Sequence, residues 1–261
     1  MATSRANPPL AAFVLHGWDW SESSLILDLF TRAQGRLVVA AKGAKKPTSS
    51  FRPVLLPFHA LTVWLSKADP EAHDEVRALR GVEWAGSAPL PSSALMSGFY
   101  LNELLMKGLA RHDPHPGLYD AYADTLAALA VPAAPAADEG SALRAFELVL
   151  LRELGVLPEL GQVTLTTEPL QAGRRYALRP EVGLAPADAG LPGTAWIEIE
   201  AALAYLARAG SAEALRQACR PFAAPLRALL RNLVQYHLDT AQLRTRQVGL
   251  ELQRLLEPTP R

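Results

Sequence analysis

The chain has 261 residues, of which 49% are hydrophobic, and its 26 basic side chains equal its 26 acidic ones in number. This length and composition predict one large folded domain or two smaller ones with buried cores, and they exclude an intrinsically disordered chain. The single cysteine, Cys219, excludes an internal disulfide framework and a four-cysteine zinc site within the chain, and it favours a reducing, cytoplasmic compartment.

The first part of the chain carries short apolar runs with weak alternation, separated by turn signals, which is typical of β-strands. Gly35 is suited to the positive φ of a tight turn between the second and third runs. Segment 75–79 is equally compatible with a helical turn. Five strands without intervening helices predict a small closed barrel, of which the OB-fold is one architecture. The predicted strands are 11–18, 24–30, 37–41, 58–65 and 76–84.

Beyond residue 90 the apolar residues recur at spacings of three and four, which predicts amphipathic helices. Ser141 is positioned to cap the third of these, which ends at Gly155. Segment 158–194 is rich in Pro, Gly and Thr and predicts loops with short extended pieces. The fold class is therefore α+β, with a barrel domain over 1–86 and a helical domain over 87–261. Predicted helices lie at 93–110, 118–129, 141–155, 197–209, 212–219, 224–236 and 239–256.

Positive charge is concentrated in the predicted barrel. Seven bases and no acid lie between residues 32 and 67, although the whole chain is neutral. Such segregation is typical of a surface that binds phosphates, and it predicts a nucleic-acid partner; a solvated face is the alternative. Residues 86–204 carry seven bases against fourteen acids, so the middle of the chain is not expected to bind an anion. The seven bases are Arg32, Arg36, Lys42, Lys45, Lys46, Arg52 and Lys67.

Aromatic side chains lie near these bases, and single-stranded nucleic acids stack their bases on such rings. Trp18 and Trp20 flank Asp19 in a predicted loop, where exposure is expected. Phe51 and Trp64 are further stacking candidates, with burial in the barrel core as the alternative for Trp64.

No catalytic set stands out. The chain has no phosphate-cradling Gly-x-x-x-x-Gly-Lys-Ser/Thr loop and no Gly-x-Ser-x-Gly nucleophile motif. His112, Asp113 and His115 are potential metal ligands, but the intervening proline favours a solvated loop. We therefore expect no enzymatic activity, no metal and no cofactor. A hydrolase that uses these three residues stays open as an alternative.

Several motifs resemble those of the bacterial recombination mediator RecO. In the predicted barrel they lie at 13–16 (FVLH), 20–31 (WSESSLILDLFT), 35–37 (GRL), 40–44 (AAKGA) and 55–58 (LLPF). In the predicted helical domain they lie at 97–105 (SGFYLNELL), 144–151 (RAFELVLL) and 154–155 (LG). The resemblance spans nearly the whole chain in the same order.

The resemblance implies an N-terminal OB-fold, a helical C-terminal domain and no catalysis. It implies binding of single- and double-stranded DNA and annealing of complementary strands. It further implies that the protein acts with RecR to help load RecA onto single strands covered by single-stranded-DNA-binding protein (SSB). The expected location is the cytoplasm, in association with the nucleoid, with no membrane contact. An adaptor in a repair complex that binds protein and not DNA is the alternative.

The resemblance also implies site residues. The expected contacts to the SSB C-terminal tail are a basic rim at Arg144 and an apolar pocket formed by Tyr100, Leu104 and Phe146, with ordinary helix packing as the alternative for the last three. Some family members carry a four-cysteine zinc site after the third helix, but the first two of those positions hold Val163 and Thr166 here. That loop is expected to keep its shape by packing alone. The expected DNA contacts are Arg32, Arg36, Lys42, Lys45, Lys46 and Arg52. Apart from the resemblance, the C-terminal bases are expected to extend this surface: Arg227, Arg231, Arg244 and Arg246.

Overall fold

A computed structural model describes residues 7–67, 76–131, 136–238, 243–245, 247, 248 and 251, with only the backbone described at 136 and 137. Within these residues the chain divides into two compact units. The first consists of Met1–Leu90 together with Leu109–Tyr119, and the second of Pro91–Gly108 together with Asp120–Arg261. The sequence places a single boundary near residue 86 and does not indicate that 109–119 returns to the first unit.

The first unit is a closed five-stranded barrel with strand order β1-β2-β3-β5-β4. Antiparallel pairing of β1 with β4 closes it, and β3 pairs with β5 in parallel. This is the OB-fold that the sequence predicts, and all five predicted strands are present. The strands are β1 (Leu10–Asp19), β2 (Leu25–Thr31), β3 (Gly35–Ala41), β4 (Ala60–Leu65) and β5 (Arg77–Trp84).

The barrel interior is filled by the inward side of each strand. In β4, Leu61, Val63 and Leu65 are buried, whereas the residues between them are half-exposed. On another part of the barrel, Tyr119 packs against Phe13 and Phe30, with ring centroids 5.2 and 5.5 Å apart. Segment 109–119 therefore covers large apolar side chains of β1 and β2, which explains why it belongs to this unit.

The second unit is mainly helical. A 3-10 turn, Ser92–Ala94, leads into α1. The third helix begins at Ala136, five residues before the predicted start, so Ser141 does not cap it; its hydroxyl donates to the carbonyl oxygen of Asp138 (2.9 Å). The helices are α1 (Leu95–Gly108), α2 (Pro116–Leu129), α3 (Ala136–Glu153), α4 (Gly193–Ala209), α5 (Glu213–Cys219) and α6 (Ala223–His237). The predicted tail helix at 239–256 falls mostly outside the described residues, and no described helix is long and apolar enough to span a membrane.

The predicted loop region contains a small sheet of β6 (Arg175–Arg179), β7 (Gly183–Pro186) and β8 (Leu191–Pro192), in the order β7-β6-β8. Next to it, the Val163 N–H donates to the Glu168 carbonyl (2.9 Å) and the Thr167 N–H donates to the Val163 carbonyl (2.8 Å). Thr164 and Leu184 also exchange two hydrogen bonds of 2.9 and 2.8 Å. The expectation that packing alone holds this loop is therefore wrong, because backbone and side-chain hydrogen bonds also close it.

Candidate nucleic-acid interface

Two loops of the barrel lie side by side. One joins β1 to β2 through residues 20–24, and the other leaves β3 at Lys42. The Lys45 N–H donates to the Ser23 carbonyl (2.9 Å), and the Gly43 N–H donates to the Ser24 hydroxyl oxygen (3.3 Å). We call residues 42–59 the lysine-rich loop and residues 20–24 the serine-rich loop. These hydrogen bonds fix the first loop against the second.

The lysine-rich loop is anchored in the barrel core. Ala44 and Leu55 are buried among the core residues, and Phe51 and Val54 pack against them. The Leu55 N–H donates to the Phe51 carbonyl (3.0 Å), which closes the turn between the anchors. A loop held at both ends by buried apolar groups presents its exposed ammonium groups from a fixed backbone.

A cavity of about 570 Å³ lies between these two loops. The exposed ammonium groups of Lys42 and Lys46 and the indole of Trp20, which is 56% exposed, contribute to its lining. Ammonium and hydroxyl groups donate hydrogen bonds to phosphate oxygens, and an indole face offers a stacking surface for a base. The cavity therefore combines the groups that a single nucleic-acid strand requires. Its remaining lining residues are Ser21, Ser23, Ser24 and Gly43.

Lys45 is placed differently from its two neighbours. Its ammonium group lies 3.1 Å from a carboxylate oxygen of Asp19 and donates to the Ser21 carbonyl (3.0 Å). The side chain thus ties the lysine-rich loop to the end of β1. It supports the cavity from outside its lining.

The predicted basic stripe does not form one patch. Arg32 lies in the β2–β3 turn, and Lys42 follows the far end of β3, a strand of seven residues. A strand of that length separates its ends by roughly 20 Å. Arg52 is exposed and belongs to the same loop as the lysines, but it does not line the cavity. The structure therefore brings together Lys42, Lys45 and Lys46 and leaves Arg32 at the other end of the strand.

The buried position of Arg36 argues against the prediction that this residue contacts DNA. The residue is 8% exposed, and its Nε and Nη2 donate to the two carboxylate oxygens of Asp28 at 3.2 and 2.6 Å. Its Nη1 donates to the carbonyl oxygen of Leu109 (2.7 Å). The guanidinium is thus engaged inside the protein, and it links the β2–β3 hairpin to segment 109–119.

The aromatic candidates separate into exposed and packed rings. Trp18 and Trp20 are 44% and 56% exposed, as expected. Phe51 packs on the barrel core, and Trp64 is half-buried against Gly81, so both have structural roles. Sequence reasoning missed Trp84, which is 56% exposed at the end of β5; nothing in its position there distinguishes it from a buried strand residue.

The potential metal ligands of segment 109–119 lie close to the β2–β3 hairpin. His115 lies 3.3 Å from Asp113, and the His112 N–H donates to the Arg36 carbonyl (2.9 Å). A Cβ on Gly35 would lie 2.1 Å from the Asp113 carbonyl oxygen, so this segment packs directly on the hairpin turn. Among the described residues no three His, Cys, Asp or Glu side chains are grouped as metal ligands.

A second cavity, of about 730 Å³, lies in the helical unit between α1, α3 and α6. Tyr100 and Arg144, two of the residues predicted to contact the SSB tail, line it, and that contact stays a prediction. Leu104 and Phe146 do not line it, because they are 0% and 1% exposed and belong to the helical core; their predicted pocket role is wrong. The two α6 arginines considered for DNA binding, Arg227 and Arg231, line this cavity, while Arg244 is exposed and Arg246 lies outside the described residues.

We call this second cavity the carboxylate pocket. Its floor contains a buried ion pair. A carboxylate oxygen of Glu147 accepts hydrogen bonds from the Tyr100 hydroxyl (2.6 Å) and from Arg144 (2.5 Å). Burial raises the pKa of Glu147 despite the nearby Arg144. Burial, followed by the charge of Glu147, raises the pKa of Tyr100 well above its ordinary value, so its hydroxyl stays a donor.

Comparison with known proteins adds two family models and close relatives. Residues 10–87 match the model described as "Recombination protein O N terminal", and residues 92–247 match "Recombination protein O C terminal". The chain is 48% identical over 261 residues to a DNA repair protein RecO of Verminephrobacter eiseniae, covering 98% of this chain and all of the relative. It is 49% identical over 254 residues to the DNA repair protein RecO of Acidovorax ebreus, and the match covers 94% of this chain and 96% of the relative.

Proposed function

The chain belongs to the RecO family of DNA repair proteins, and from that premise we propose that it is a non-enzymatic recombination mediator. In this proposal it anneals complementary single strands and, with RecR, helps load RecA onto SSB-covered DNA. The observation that carries the proposal is the barrel cavity in which Lys42, Lys46 and Trp20 meet.

The chemistry of that cavity favours a strand backbone with unpaired bases. Lys42 and Lys46 have no ion-pair partner among the described residues, so their charge is available to phosphates. Phosphate contacts release counterions and carry no base readout, and a stacked indole accepts any base. Binding of this kind neutralises two strands without selecting a sequence. Base pairing between the strands then supplies the specificity of annealing.

The carboxylate pocket supports a second part of the proposal, binding of the acidic SSB tail. Arg144, Arg227 and Arg231 line a cavity that also has apolar walls, including Leu143 and Val234. An acidic peptide that ends in an aromatic residue and a free carboxylate needs guanidinium groups beside an apolar hole.

DNA binding is tested by fluorescence anisotropy of a labelled single-stranded oligonucleotide across a salt series. The double variant Lys42→Ala, Lys46→Ala is compared with the wild type. A plot of log affinity against log salt concentration has a negative slope. Each lost phosphate contact should make that slope shallower by about 0.7, hence by about 1.4 for the double variant. Arg32→Ala is the matched control at the other end of β3 and should change the slope less. An unchanged slope in the double variant would place the DNA site elsewhere, and no binding by the wild type would favour the adaptor alternative.

Stacking is tested in the same assay with Trp20→Ala. Loss of a base–aromatic stack should weaken single-strand binding by about 1–3 kcal/mol and leave the salt slope unchanged. Trp84→Ala removes an equally exposed indole of the barrel that does not line the cavity, and it serves as the control. Equal losses in both variants would refute a specific role for Trp20.

A further inference from the structure

In the carboxylate pocket, the Glu147 carboxylate lies beside the Arg144 guanidinium, which is the group expected to bind an acidic peptide. Glu147 and Arg144 lie one turn apart on α3 and are 1% and 5% exposed. Both nevertheless line the cavity, together with Tyr100 of α1. The guanidinium that an incoming carboxylate would bind is thus already paired with an acid of the same helix.

This pairing is incomplete. A guanidinium and a carboxylate can form two parallel hydrogen bonds, but here the hydrogen bonds from Arg144 and Tyr100 converge on one oxygen of Glu147. The other carboxylate oxygen and the Nε of Arg144 are buried and have no hydrogen-bond partner among the described residues. Buried polar atoms without partners are costly, so the pair leaves a donor on Arg144 and a proton acceptor on Glu147 unsatisfied.

The charged and titratable groups that face Glu147 lie on every helix around it. Arg144 lies on its own helix, Arg227 and Arg231 lie on α6, and Tyr100 lies on α1. The neutral thiol of Cys219, on α5, is also within electrostatic range. Glu139 is the other acid in the lining, and one of its carboxylate oxygens accepts a hydrogen bond from the Ser97 hydroxyl (2.5 Å). Three guanidinium groups therefore face two carboxylates, and an incoming carboxylate competes most directly with Glu147.

We propose that Glu147 determines the affinity of the carboxylate pocket, holding Arg144 while the pocket is empty and releasing it by taking up one proton when the carboxylate of an acidic peptide binds. This inference rests on the proposed binding of an acidic tail. The proton comes from solvent and is held on the Glu147 carboxyl group, while the Arg144 guanidinium passes to the peptide carboxylate. No other bond changes.

Two physical effects favour proton uptake on binding. Burial already raises the pKa of Glu147 in the empty pocket. A second carboxylate beside the same guanidinium adds like-charge repulsion and withdraws the partner, and both raise the pKa further. The bound form therefore holds more protons than the free form between the two pKa values. It follows that the affinity increases as the pH falls through that window and is independent of pH outside it.

The experiment is isothermal titration of the full-length protein with a synthetic peptide of aspartates that ends in phenylalanine with a free carboxylate. Titrations run from about pH 5 to about pH 8 at fixed salt, in buffers of different ionisation enthalpy, so that bound protons are counted. The wild type should take up a proton on binding. Its affinity for the peptide should fall by up to about tenfold for each unit by which the pH rises within the window. Glu147→Gln should bind more tightly than the wild type at the upper end and take up no proton. Glu139→Gln, the matched control in the same lining, should keep the wild-type pH dependence.

Each outcome distinguishes the inference from the function on which it rests. If Glu147→Gln keeps the wild-type affinity and proton uptake, or the wild type binds without any pH dependence, the role of Glu147 is refuted and peptide binding stands. If neither protein binds the peptide at any pH, tail binding and the inference both fail.

A second variant guards against a folding defect in Glu147→Gln. Tyr100→Phe removes a hydrogen bond that lowers the pKa of Glu147, so the window of pH-dependent binding should move to higher pH. A window that does not move would overturn the proposal.

Discussion

The buried pair of Arg36 and Asp28 makes a prediction opposite to that of the basic stripe: Arg36 stabilises the barrel and does not hold DNA. Asp28 is 1% exposed, and both of its carboxylate oxygens accept hydrogen bonds from Arg36. In Arg36→Ala this carboxylate would remain buried without its cation, and the Leu109 carbonyl would lose its guanidinium donor. Removing one partner of a buried ion pair costs about 3–5 kcal/mol. For a chain of this length that corresponds to a fall in Tm of roughly 6–20 °C.

The assay is thermal unfolding followed by circular dichroism, combined with DNA anisotropy at a temperature where the variant is folded. Asp28→Asn is the matched control, because it breaks the same pair from the acidic side and removes no base. We expect both variants to lose stability and to keep wild-type affinity for DNA. An Arg36→Ala protein with a wild-type Tm and weakened DNA binding would refute this reasoning.

Three further predictions concern the helical unit. A Cβ on Gly183, whose φ is +74°, would lie 2.4 Å from the hydroxyl oxygen of Thr164, so Gly183→Ala should lower the unfolding free energy by about 1–3 kcal/mol, measured by urea unfolding; Gly173→Ala, which meets nothing within 4 Å, should not. Burial raises the pKa of Cys219 from 9.0 to about 12, so the thiol should react with Ellman's reagent only on unfolding, and fast reaction of the native protein would contradict its burial. Between these two pKa values the folded state holds a proton that the unfolded chain has released, so stability should fall as the pH rises through that window.

The sequence was sufficient for the barrel because each strand carries its own local signal. The alternation in β4 and the Gly35 turn between β2 and β3 fix both the strands and their pairing. The start of α3 was missed for an equally local reason. Pro132 and Pro135 made 131–140 read as a connection, but residues from Ala136 onward have no proline, and alanine and glutamate favour helix once it begins.

The pairing of Arg36 with Asp28 could have been predicted from the sequence, but counting charges along the chain did not reveal it. Given the hairpin register, Arg36 is opposite Phe30 and Asp28 is opposite Val38, so Arg36 and Asp28 are diagonal neighbours. Diagonal positions on paired strands are within reach of a long side chain. A stripe defined by the absence of acids between residues 32 and 67 begins four residues after Asp28 and so leaves this acid out. Strand pairing therefore has to be applied before charge is assigned to a surface.

The pocket prediction failed at Leu104 and Phe146 for a different reason. Five consecutive residues of α1, from Leu101 to Leu105, are buried, and they include Asn102 and Glu103. Glu103 accepts hydrogen bonds from the backbone of Arg244 and Thr245 at 2.7 and 2.9 Å. Residues four apart, such as Tyr100 and Leu104, lie on the same side of a helix. Leu104, however, falls in the stretch of α1 that is buried on every side, so it packs in the core and does not line the cavity.

The barrel cavity indicates how a chain with no net charge can still present local positive charge. Arg36 and Lys45 are neutralised by Asp28 and Asp19, and they hold the barrel and its loop in place. Lys42 and Lys46 lie in the same loop as Lys45 without an acid of their own in the described structure, and their charge is not cancelled locally. Net charge averages over both kinds of base, whereas the potential at a surface is set by the unpaired ones. The difference between Lys45 and its two neighbours, rather than the count of seven bases, therefore locates the candidate interface.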